Sequence, residues 1–145
     1  MTCIFFGHRH TPSSIFPVLK ATIVNLIENR NVDRFIVGNQ GDFDLLVSKA
    51  LREIKNEYPH IDYMIMLAYM PTSTPTDAEH TVFPEGLESV PSRFAIYRRN
   101  EIMVKQADIA IVYVLTGGGA EKFTDMLRKR KTEIINIAEL NNLSQ

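Results

Sequence analysis

Short, almost wholly apolar runs alternate along this chain with longer stretches of helical period, and that alternation limits what the chain can fold into. Cys3–Phe6 is apolar throughout and stops at Gly7, as expected of a strand buried on both faces. Ile15, Val18, Leu19, Ile23, Leu26 and Ile27 then recur at spacings of three and four. They predict an amphipathic helix over Ile15–Arg30, with Ser13 or Ser14 as its cap. Arg34–Val37 reads as a second strand, closed by Gly38-Asn39-Gln40-Gly41. A helix follows over Asp42–Glu57, with Leu45, Leu46, Ala50, Leu51 and Ile54 on one face and Asp42 near the positive end of its dipole. Tyr58-Pro59 ends it, and Ile61–Tyr69 is a third strand.

Residues 70–91 break the rhythm. Four of the seven prolines fall there (Pro71, Pro75, Pro84 and Pro91), among threonines, serines and acidic residues. A connection of that length in a small domain is a lid, a binding loop or a disordered insertion. Regular pattern resumes with a helix over Ser92–Gln106, a fourth strand over Ile109–Leu115, then Thr116-Gly117-Gly118-Gly119. A helix over Ala120–Lys131 and a short strand, Glu133–Ile137, finish the pattern, and the remaining residues read as a ragged end. Strand-helix-strand units of this kind make a parallel sheet with right-handed crossovers. The prediction is one α/β domain of Rossmann-like, doubly wound build. It has about five mainly parallel strands in the order 3-2-1-4-5, with helices on both faces.

Composition narrows the function classes. The formal net charge is -1 and the longest basic run lies around Arg128–Lys131, so the footprint of a nucleic-acid-binding protein is missing. The lone cysteine, Cys3, allows no internal disulfide and sits in an apolar run, where a thiol serves as a small hydrophobe. No zinc-ligand spacing exists, and neither a metal nor a cofactor is expected. The apolar stretch at the N-terminus is too short for a signal peptide, and no window approaches a membrane span. A cytoplasmic protein is the expectation.

In an open parallel sheet, ligands bind outside the carboxyl ends of the strands, where the strand order reverses. Gly7-His8-Arg9, Gly38 to Gly41 and Thr116 to Gly119 all fall at that edge. Glycine lets a backbone turn sharply and approach a ligand, and a helix starting after such a loop suits phosphate. Gly117-Gly118-Gly119 lacks both the spacing of the dinucleotide fingerprint and the lysine of a P-loop. Arg9 and Arg99 would add positive charge, although a solvated helix face explains Arg99 about as well. His8 and His10 suit either phosphate donation or acid–base work, or a plain turn role. Asp44 and Glu121 are the carboxylates nearest the glycine loops. Ribose contacts, catalysis, or capping at helix N-termini account for them equally.

Four motifs in order resemble the SLOG superfamily, and more closely its small bacterial YpsA-related members. They are Phe6-Gly7-His8-Arg9, Val37-Gly38-Asn39-Gln40-Gly41-Asp42-Phe43-Asp44, Arg99-Asn100-Glu101-Ile102-Met103 and Gly117-Gly118-Gly119-Ala120. The similarity extends through Leu67-Ala68-Tyr69-Met70-Pro71 and Phe83-Pro84-Glu85-Gly86-Leu87-Glu88. The resemblance implies a Rossmann-like fold holding a nucleotide or nucleotide-derived ligand. Its motif positions here are Gly7, His8, Arg9, Gly38, Gly41, Asp44, Arg99, Asn100, Gly118 and Gly119. Asn39, Thr116 and Gly117 complete the expected ligand-binding set.

Within the same superfamily, the Lonely-Guy phosphoribohydrolases cleave nucleoside monophosphates with an arginine and a glutamate. Arg99 matches that arginine by position. The glycine motif departs: Thr116-Gly117-Gly118-Gly119-Ala120-Glu121 lacks their proline and their Gly-Thr pair, and Glu121 falls out of register. The expectation is therefore a binding or sensor domain. The alternative is an N-glycosidic hydrolase or transferase using Arg99, Glu121 or Asp44. An assembly module is a third possibility, and relatives that pair through their helices make a homodimer a modest expectation.

Overall fold

The computed structural model describes residues 1–115 and 119–143, without the side chains of 119–121 and 141–143. Six strands, all parallel, form one sheet: β1 (Thr2–Gly7), β2 (Arg34–Val37), β3 (Asp62–Met66), β4 (Thr81–Val82), β5 (Ile109–Tyr113) and β6 (Glu133–Asn136). Their order is β4-β3-β2-β1-β5-β6. The chain builds outward from β1 on one side, then returns to lay β5 against β1's other side. The order reverses between β1 and β5, so the crevice expected of a doubly wound sheet opens there.

Helices α1 (Phe16–Arg30) and α2 (Asp42–Glu57) pack together on one face, and α3 (Ser92–Gln106) and α4 (Gly119–Lys129) on the other. The strands divide their side chains accordingly, since successive residues point to opposite faces. Cys3, Phe5, Phe35, Val37, Ile109 and Ile111 join the core beneath α1 and α2. Ile4, Phe6, Ile36, Ala110 and Val112 meet Met103, Val104, Phe123 and Leu127 beneath α3 and α4.

The strand count differs from the five expected. The added edge strand, β4, is two residues long and lies inside the proline-rich stretch, too short to leave a period in the sequence. Omitting β4, the observed order is the expected one. Residues 70–91 carry that strand and two single 3-10 turns, Ala78–His80 and Leu87–Ser89. Arg52 on α2 holds Asp77 at 2.6 Å, and the His80 ring stacks on Tyr63 at 4.0 Å. The Leu67 N–H donates to the Val82 carbonyl at 2.9 Å. This segment covers the β3 side of the sheet.

Other boundaries moved for physical reasons. Ser13 and Ser14 belong to a 3-10 turn, Ser13–Ile15, and neither side chain caps α1. Pro17 lies in the first turn of α1 instead, where a missing N–H costs nothing. Asn31 closes that helix in the left-handed region at φ 56°. β3 stops at Met66 and β5 at Tyr113, short of the Tyr69 and Leu115 expected, because the apolar residues beyond them lie in loops. The expected ragged end is a helix, α5 (Ile137–Leu143), anchored by buried Ile137 and Ala138. No helix among the described residues is long and apolar enough to cross a membrane.

Candidate functional site

The loops after β1 and β2 are tied to each other before any ligand is considered. The Asp42 N–H donates to the Arg9 carbonyl at 2.7 Å, and the Asp42 carboxylate accepts from the Thr11 N–H at 3.4 Å. Gly41 sits at φ 95°, and a Cβ there would lie 2.7 Å from the Arg9 Cα. Only glycine satisfies both the left-handed backbone and that approach. His8 reaches across the reversal point: its Nε2 accepts the Leu115 N–H at 2.8 Å, beyond the end of β5. Accepting at Nε2 places the proton of a neutral ring on Nδ1. His8 thus makes the single backbone hydrogen bond of the plain turn role, one of the readings left open for it.

Beneath these loops lies a buried polar trio. Arg99 on α3 is 2% exposed, so the solvated-face reading does not hold. Its Nε donates to Asn100 Oδ1 at 2.7 Å and its Nη1 to the Met66 carbonyl at 2.9 Å. Gly38 makes room for it: a Cβ at that position would stand 2.5 Å from Arg99 Nη1. Asp44, 7% exposed in the first turn of α2, accepts the Gln40 N–H at 2.8 Å. That bond braces the glycine loop against its own helix. Burial pushes the Asp44 carboxyl up to about 6, although the Gln40 N–H and the Arg99 charge both favour the ionised form. Burial also draws the Arg99 guanidinium below its ordinary value, with Asp44 opposing the change.

A cavity of about 360 Å³ opens over the trio. Gly7, His8, Arg9, Gly38, Asp44, Arg99 and Asn100, all expected ligand-binding residues, line it. Phe6 and Phe123, stacked at 5.3 Å between ring centres, give it an apolar side together with Ile96. Arg9 is exposed at its mouth and forms no ion pair among the described residues. A pocket of this size, apolar on one side with a few convergent polar groups on the other, has the make-up of a small-molecule site.

Not every expected residue faces it. Asn39 is exposed and turns to a second hollow, formed with Ser48, Arg52 and residues of the 70–91 stretch. Gly41 shapes the loop without lining the cavity. Thr116, Gly117 and Gly118 lie outside the described residues, as does the Glu121 side chain, and Gly119 begins α4. Five lining residues were missed: Gln40, Phe5, Phe6, Ile96 and Phe123. The four apolar ones carry the same period as core residues, so pattern alone could not separate a pocket wall from a core. Cys3 is fully buried and burial pushes its thiol up, which suits the small hydrophobe expected. Compared with known proteins, the chain matches no family model and no curated protein.

Proposed function

We propose that this chain is a binding, sensor-type domain for a nucleotide or nucleotide-derived small molecule, seated at the carboxyl ends of β1, β2 and β5. One observation carries the reading: a single cavity joins an aromatic side, Phe6 and Phe123, to the cations Arg9 and Arg99 and the acceptor Asp44. A flat heterocycle, a polyhydroxyl sugar and a phosphate call for those three kinds of surface. The SLOG-like motifs point the same way, since the residues matching their first three blocks supply most of the lining.

Thermal-shift titration against nucleotides, nucleotide sugars and ADP-ribose derivatives tests the proposal. A ligand present at ~100 times its Kd adds about 2.7 kcal/mol of stability. For a chain of this size that raises the melting midpoint by several degrees. Arg9→Ala changes an exposed side chain, so it should fold normally and lose most of that shift. No shift with any of these ligands would count against the reading.

Hydrolysis at an N-glycosidic bond is the second reading, favoured by Asp44, a buried carboxyl in the cavity that exchanges its proton close to neutrality. Free base released from a nucleotide, and lost in Asp44→Asn or Glu121→Gln, would select it over simple binding.

A further inference from the structure

Three polar side chains at the base of the cavity are more than nine-tenths buried, and each keeps unused hydrogen-bonding capacity. Arg99, Asp44 and Asn100 are 2%, 7% and 7% exposed. Arg99 spends Nε on Asn100 and Nη1 on Met66, and its Nη2 has no partner among the described residues. Because Asn100 Oδ1 accepts from Arg99, its amide orientation is fixed and its Nδ2 donor is left over. Asp44 gives Oδ2 to the Gln40 N–H, and Oδ1 is uncommitted. Arg99 and Asp44 feel each other's charge yet form no direct ion pair. No fully buried side-chain polar atom among the described residues lacks a partner, so these three uncommitted atoms are the ones that open to the cavity, where a ligand can complete them.

The missing group must accept from Arg99 and Asn100 and donate to Asp44. A phosphate meets only the first demand, and it would bring a second negative charge beside the Asp44 carboxylate. A neutral heterocyclic edge with an N–H next to a C=O meets both. We infer that the base of this cavity reads the lactam edge of an oxo-purine or oxo-pyrimidine, the class of guanine, hypoxanthine and uracil, with the phosphates directed outward to Arg9. Adenine and cytosine set their amino N–H beside a ring nitrogen with a single lone pair, which accepts from Arg99 or from Asn100 but not from both, whereas a carbonyl oxygen accepts from both. The Phe6 and Phe123 rings flank the same space and suit an aromatic plane. This assignment rests on the nucleotide reading above and gives that ligand both an orientation and a base class.

Isothermal titration of the full chain at pH 7.5, where Asp44 is ionised, tests it. The ligands are GMP, IMP, UMP, AMP, CMP and ribose 5-phosphate. At least one oxo-nucleotide should bind about tenfold or more tighter than both AMP and CMP, since mismatching a buried polar pair costs that much. In Asp44→Asn the Gln40 N–H keeps the amide oxygen, so an NH2 replaces the free acceptor and the preference should shrink to about twofold or less. Asn100→Asp, which removes the leftover donor instead, should weaken oxo-nucleotides more than AMP. It serves as the second variant should Asp44→Asn fail to fold. Equal binding of all five nucleotides overturns the lactam assignment while leaving nucleotide binding intact. So does ribose 5-phosphate binding as tightly as GMP. Binding of none of them overturns both readings.

Discussion

The two faces of the sheet solve different problems. Under α1 and α2 the inward residues are aliphatic or aromatic, and the largest of them, Phe5, Phe35, Phe43, Ile4 apart, fill that side without exposure. Under α3 and α4 the core is smaller, and toward the carboxyl ends of the strands it gives way to Arg99 and Asn100. The first core is closed and apolar; the second stops short at the strand ends and leaves a hollow with polar walls, which Asp44 of α2 also borders. Most of the buried apolar core therefore lies on one side of the strands, while the cavity opens at their carboxyl ends beside the smaller core.

The division can be broken from the core side first. Phe35→Ala should cost about 3–5 kcal/mol, the range for emptying a buried aromatic site. Urea denaturation measures that loss. The variant's surviving folded fraction should bind ligand as before, and weakened binding in it would blur the separation of the two faces.

The next effect belongs to Asp44. Its carboxyl ordinarily titrates near 3.8 and in the fold near 6, so between those values the folded state holds a proton that the unfolded state has released. Stability conferred by the protonated form is complete below ~pH 4 and declines as pH rises through about 6. The size is about 3 kcal/mol, at ~1.4 kcal/mol per pKa unit. Asp44→Asn should flatten that part of the pH profile, and an unchanged slope would mean that another group carries it.

The smallest effect is on the sheet's outer side. Arg52→Ala removes the partner of Asp77 and should cost no more than about 1 kcal/mol, because Arg52 is substantially exposed. Limited proteolysis should nonetheless cut within residues 70–91 sooner than in the parent, with ligand binding unaffected.

Much of the architecture was legible in advance because it depends on period. Helix α2 and helix α3 have the bounds expected of them, and β1, β2, β5 and β6 were all anticipated in place. β4 escaped because two residues carry no period, and α5 because a short terminal helix owes its existence to what Ile137 packs against. At the site, the loops at the strand ends were foreseeable from glycine and topology together. The buried state of Arg99 was not, since its neighbours Arg98 and Glu101 suggested an outward face. What decides its burial is Gly38, more than sixty positions earlier, whose missing side chain admits the guanidinium. Phe123 was hidden for the opposite reason: nothing in a helical apolar stripe says where the packed core ends.

The two-residue strand β4 has a bearing on how the molecule behaves in company. A sheet's border is where a neighbouring chain can add a strand of its own, and a long, flat border invites it. Here Thr81 and Val82 cover β3 at its carboxyl half only, so the border on this side is broken into two short steps, Asp62–Met64 of β3 and the two residues of β4. Such a brief template cannot align a second chain in register. The stretch that interrupts the rhythm of the sequence therefore serves, on this side, as a guard against aggregation.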